Sequence, residues 1–114
     1  NAHELDGYRC VITRLDDLSG KDLRSVWDGI RDASDGHPVA CVIASVTPDK
    51  KVALLAGATD TAVAAGFSAG ALIKDIAGLV GGRGGGRPNM AQAGGVDISG
   101  IDAALEAAKQ KLGI

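Results

Sequence analysis

Arg83 and Arg87 stand four residues apart with three glycines between them. They lie inside a stretch from Val80 to Gly95 that holds seven of the chain's seventeen glycines and no acidic residue. Guanidinium groups at such a spacing offer fork-shaped, charge-assisted donors to phosphate, and a backbone without side chains can turn its N–H groups toward an anion. Ordering that many glycines costs more conformational entropy than ordering any other residue type, so a glycine cluster in a compact domain calls for close backbone approach to something. Pro88 stiffens the exit from the arginine pair and favours an extended conformation at Arg87. The same composition also suits a flexible linker. The continuation Asn89-Met90-Ala91-Gln92-Ala93 lacks the serines and acids of linker filler and favours an ordered segment.

Two familiar phosphate motifs are excluded by spelling. The chain's Gly20-Lys21 is followed by Asp22 rather than the Ser or Thr of a Walker loop. The dinucleotide fingerprint fails because Arg87 occupies the sixth place counted from Gly82, and because the segment closes a helix instead of opening one. Catalytic and metal chemistry also lack candidates. Ser68 and Ser99 read as helix caps, His3 and His37 have no sequence-local acid partner, and Cys10 and Cys41 sit in apolar contexts without paired zinc-ligand spacing. The expectation is two buried reduced thiols, no metal site and no catalytic centre in this segment.

The elements that must position the arginines follow from periodicity. Residues 8–13 alternate as a strand near an edge or with one wet face. Ser19 and Asp22 form a capping-box pattern for a helix running to about Ala33, with Leu18 stapled to Leu23. Its stripe of Leu23, Val26, Trp27, Ile30 and Ala33 faces a core, so Trp27 is read as core rather than a stacking platform. Residues 39–46 and 52–56 are nearly continuous apolar runs, as expected of central strands buried on both faces. A helix capped by Ser68 should bury Leu72, Ile73, Ile76, Ala77, Leu79 and Val80 and deliver the glycine segment, read as a loop over residues 81–95. Within it, residues 90–93 are expected to return as a short strand at the sheet edge. A terminal helix capped by Ser99 carries Ile101, Ala104, Leu105, Ala108 and Leu112. These elements predict an α/β (α+β) domain over residues 1–114, a small mixed sheet covered by about three helices with the glycine-rich loop at its rim.

At 114 residues with 46% hydrophobic composition, the chain suits one core. Its net charge of −2 gives no global attraction for nucleic acid, so any such contact must be local. Aspartates 16, 17, 22, 28, 32 and 35 crowd the first half. With no apolar run long enough to span a membrane, the expected compartment is the cytosol.

The run from Gly81 through Arg83, Arg87, Pro88, Asn89 and Gln92 to Gly95 resembles the signature of the C-terminal, C-Ala domain of bacterial alanyl-tRNA synthetases. The likeness extends back through Ala71-Leu72-Ile73-Lys74-Asp75-Ile76 and forward into the alanine-rich terminal helix. That domain belongs to the DHH-associated superfamily. The resemblance implies that the segment binds the elbow of alanine tRNA, tRNA(Ala), and helps present it to aminoacylation and editing sites in other domains of the parent synthetase. ATP, magnesium and zinc would be used only there. On this reading Gly81, Gly82, Gly84, Gly85 and Gly86 admit the RNA, Arg83, Arg87 and Lys74 meet phosphates, and Asn89 and Gln92 meet sugars or bases. Two alternatives accompany it: an oligomerisation module, with a homodimer through the terminal helix, or the nucleotide-binding domain of a DHH-type phosphoesterase. The latter family carries Gly-Gly-His where this chain has Gly85-Gly86-Arg87.

Overall fold

The computed structural model describes residues 2–114. In chain order the elements are β1 (Ala2–Leu5), β2 (Tyr8–Arg14), α1 (Gly20–Ala33), β3 (Val39–Val46), β4 (Val52–Ala58), α2 (Asp60–Ala64) and α3 (Ala69–Ile76). A 3-10 turn (Ala77–Val80), β5 (Arg83–Arg87), β6 (Met90–Gly95), a second 3-10 turn (Ile98–Gly100) and α4 (Ile101–Lys111) complete the fold. The six strands form one mixed sheet in the order β1-β2-β3-β4-β6-β5. All neighbours are antiparallel except β2 and β3, which are joined in parallel by the α1 crossover.

Local sequence accounts for the best-defined elements. The Ser19 hydroxyl accepts from the Asp22 N–H and the Asp22 carboxylate accepts from the Ser19 N–H, so the capping box is complete. Leu23 and Trp27 bury one stripe of α1 against Val39, Cys41, Ile43, Ala53 and Leu55. The alternate residues of the same strands, Ala40, Val42, Ala44, Leu54 and Ala56, meet α2, α3 and α4 through Ala62, Leu72, Ile73, Ile76, Ile101 and Ala104. The sheet therefore has one helix on one face and three on the other, which is why β3 and β4 are apolar at nearly every position. Ser45, buried in β3, accepts from the Leu18 N–H at 3.0 Å and lies 2.9 Å from the Leu18 carbonyl, tying the approach to α1 onto the sheet.

The structure corrects the sequence reading in four places. Residues 81–95 are mostly two paired strands, not a loop. β6 is an interior strand between β4 and β5, and β5 is the edge. Leu79 lies in the 3-10 turn and is 43% exposed, because the tighter turn rotates it off the helical stripe. Ser99 does not cap α4: the Asp97 carboxylate accepts from the Ser99 N–H and caps the short 3-10 turn, and α4 begins after Gly100. Strand β1 and helix α2 have no counterpart in the sequence reading.

The two cysteines are buried and free. They occupy neighbouring strands but opposite sheet faces, Cys10 toward the three helices and Cys41 toward α1. Burial pushes the Cys10 thiol up to about 12 and the Cys41 thiol up as well, so both are neutral at physiological pH and neither is an activated nucleophile.

Candidate functional site

The chain reaches the glycine segment through a reversal. Gly81 closes the 3-10 turn with φ +66, a left-handed conformation that glycine adopts without strain. The hairpin that follows turns through Pro88 and Asn89 and is fastened at its tip. The Ala69 N–H, at the start of α3, donates to the Pro88 carbonyl at 2.8 Å, and the Ala58 N–H donates to the Asn89 carbonyl at 3.0 Å.

Most of the glycines have an internal reason. A Cβ on Gly82 would lie 1.8 Å from the Gly94 carbonyl oxygen, and one on Gly95 would lie 2.4 Å from that of Val80. On Gly84 it would meet Ala93 and Gln92 at 2.3 Å, and on Gly86 the Met90 carbonyl at 2.5 Å. From the helix side, a Cβ on Gly70 would come within 2.5 Å of the Gly86 carbonyl oxygen, so α3 rests directly on β5. These positions are glycine because chain packs on chain. Gly85 differs: its Cβ would meet nothing within 4 Å and its φ is not in the left-handed region.

Strand alternation then fixes what surrounds Gly85. A Cβ on Gly84 or Gly86 would point to Ala93 or Ala91, which belong to the core on the three-helix face, so by strand alternation Arg83, Gly85 and Arg87 lie on the other face, beside Gly94, Gln92 and Met90 of β6. This is the face that α1 covers at β3 and β4. Its border with the hairpin is drawn by Gln92, whose amide nitrogen donates to the Gly20 carbonyl at 2.9 Å, and by Met90, which packs against the Trp27 cluster. Beyond that border lies a flat, glycine-floored platform with Arg83 and Arg87 at its ends, about 13 Å apart at ~3.3 Å per residue. Both arginines are exposed, and among the described residues neither forms an ion pair.

Two grooves flank the platform. At the hairpin tip, a recess of about 450 Å³ is lined by Arg24, Trp27, Thr59, Asp60, Asn89 and Met90 among others. At the base, a shallower groove of about 460 Å³ is lined by Gly20, Lys51, Gly94 and Val96 with Thr47 and Asp49. Arg24 and Lys51 line these grooves at the two ends of β6, beside residues paired with Arg87 and Arg83, and sequence reasoning singled out neither. No local motif marks them, since only the sheet order brings α1 and the β3–β4 connection beside the hairpin.

Of the residues singled out from sequence, the structure brings together Arg83, Gly85, Arg87, Gln92 and Asn89. One amide hydrogen of Gln92 is committed to α1, leaving its oxygen available. Gly81, Gly82, Gly84 and Gly86 lie in the same segment with structural roles. Lys74 is not brought into the group: it is exposed on α3, in the layer on the opposite side of the sheet from the arginine side chains. Among the described residues there is no group of three or more His, Cys, Asp or Glu side chains arranged to hold a metal ion, and no helix is long and apolar enough to cross a membrane.

The model of one protein family, described as the DHHA1 domain, matches residues 7–113. An alanine–tRNA ligase of Corynebacterium efficiens is 44% identical over 113 residues, covering 97% of this chain and 13% of its own length. Alanine–tRNA ligase 1 of Lachnoclostridium phytofermentans is 49% identical over 107 residues, covering 92% of this chain and 12% of its own. The chain therefore spans only about an eighth of the length of these curated relatives. Among solved structures, the C-Ala domain of Aquifex aeolicus alanyl-tRNA synthetase superimposes with a TM-score of 0.81 at 21% identity, over 98% of this chain and 97% of that one. The DHH domain of a member of a ribosomal-protein family gives 0.65 at 14% identity, over 97% of this chain and 27% of that one. At these identities the two structures speak to the fold, which is that of the C-Ala domain.

Proposed function

The chain belongs to the DHHA1 domain family, and from that premise we propose that it is the tRNA-gripping C-terminal domain of an alanine–tRNA ligase. Its platform would hold the elbow of alanine tRNA for aminoacylating and editing sites located in other domains of the same cytoplasmic enzyme. ATP, magnesium and zinc chemistry belongs to those domains, and this segment contributes affinity and orientation.

The observation that carries the reading is Gly85. Packing leaves space above it, its backbone conformation does not call for glycine, and unpaired arginines stand at either end of its strand. A bare floor between two cations suits a rigid, flat, anionic surface that must come close. Arg83 and Arg87 would each contact a phosphate, while Asn89 and the oxygen of Gln92 meet sugar or base edges, and Arg24 and Lys51 extend the contact at the two ends. Shape and backbone dominate such recognition. With two to four phosphates engaged and an overall charge of −2, affinity is modest and falls with salt, with a log-log slope of about −1 to −3. Covalent linkage to the rest of the enzyme raises the effective concentration of the elbow without new contacts.

The test is a fluorescence-anisotropy titration of the chain with folded alanine tRNA, an acceptor minihelix lacking the elbow, and a short oligonucleotide, at two salt concentrations. Preference for full tRNA, lost in the minihelix, supports elbow recognition. Equal or absent binding to all three overturns it.

A further inference from the structure

The recess at the hairpin tip has a chemistry that the platform does not share. Its inner wall is apolar, made by Ala58, the half-buried Met90 and the nearly buried Trp27. Its charged lining is two arginines and two aspartates, Arg24, Arg31, Asp28 and Asp60, so it favours neither sign of ligand. Some of these groups are already engaged. Arg31 pairs with Asp28 at 3.3 Å, and the Thr59 hydroxyl accepts from the Val39 N–H at 3.2 Å. The side chains of Arg24, Asp60 and Asn89 have no hydrogen-bond or ion-pair partner among the described residues. A guanidinium, a carboxylate and an amide left free around an apolar wall are the makings of a small-molecule site, and about 450 Å³ is room enough for one flat heterocycle. A phosphate meets the aspartates and a cation meets the arginines. What suits the lining is a neutral ring that both donates and accepts.

We infer that this recess takes an unstacked guanine base, with the Asp60 carboxylate as the group that selects it. The inference rests on the RNA reading of the platform and adds a base-specific contact to it. Guanine alone among the four RNA bases carries two adjacent N–H donors on its Watson–Crick edge, N1–H and the N2 amino group, and one carboxylate accepts both. Its O6 then accepts from the Arg24 guanidinium. Arg87 pairs with Met90 in the ladder, so a phosphate held by Arg87 brings its own nucleoside to the mouth of the recess.

The experiment titrates the isotopically labelled chain with GMP, AMP, CMP and UMP in turn, following the amides of Asp60, Asn89 and Met90 and the Trp27 indole N–H. GMP is expected to shift these resonances at millimolar concentration and to bind roughly five- to tenfold more tightly than the other three. Asp60→Asn abolishes that preference, because its amide nitrogen sets a donor against a donor. Arg87→Ala weakens all four nucleotides by the same factor and keeps the preference. Equal response to the four nucleotides, no response to GMP at millimolar concentration, or a guanine preference that survives in D60N overturns the inference. Those outcomes leave the elbow reading intact, since it is decided separately by full tRNA against the minihelix.

Discussion

Gly57 and Gly85 lie on the same face of the same sheet, yet they are glycine for opposite reasons. A Cβ at Gly57 would fall 2.6 Å from the Trp27 ring, so the missing side chain admits the indole and lets α1 settle on β4. At Gly85 nothing comes within 4 Å. One glycine is filled from inside the molecule and the other is left bare, and the border between them is the line from Gln92 to Met90. An absent side chain thus becomes informative about ligands only after internal packing has claimed its share.

The comparison breaks most visibly at its closed end. Trp27→Ala empties the space over Gly57 and should cost about 3–5 kcal/mol of stability in denaturant titration, while the folded fraction still binds tRNA. A loss of binding beyond the loss of folded protein would mean that the two regions are not separable. The next effect belongs to the open end. Replacing Arg83 and Arg87 together by alanine should weaken tRNA binding roughly ten- to a hundredfold at low salt and make the salt slope shallower by about two. Because both side chains are exposed and unpaired, stability should stay within about 0.5 kcal/mol. Unchanged affinity would remove the arginines from the site. The smallest effect is the sharpest discriminator. Gly85→Val places a branched side chain on an unobstructed strand position and should stabilise the fold by about 0.5–1 kcal/mol, while lowering tRNA affinity by lifting the RNA off the floor. Destabilisation would show that Gly85 serves packing after all.

What could be read from sequence was what is encoded locally. The Ser19–Asp22 capping box, the Leu23 and Trp27 stripe and the doubly apolar strands β3 and β4 each carry their signal within a dozen residues and stand where periodicity put them, whereas Ala33, expected on the same stripe, is exposed at the end of α1. The candidate site was legible in its residues but not in its form. Three consecutive glycines have poor strand propensity, and β5 is a strand because α3 and β6 hold it at close quarters, through Gly70 and the pairing of Gly84 and Gly86. The edge position expected for residues 90–93 was wrong for a topological reason: β6 returns inside β5, and nothing local announces that order. Four-residue β1 and five-residue α2 are too short to show a period. Lys74 shares a sequence neighbourhood with the arginines, whereas Arg24 and Lys51 line the grooves at the two ends of β6.

The inverted order of the last two strands also sets a schedule for the nascent chain. β5 leaves the ribosome before β6, pairs with it as a hairpin across the Pro88-Asn89 turn, and reaches the rest of the sheet only through β6's pairing with β4. The arginine strand is therefore held on the sheet only once β6 has followed it and docked. Its fixing on the sheet is a late event in the folding of the segment.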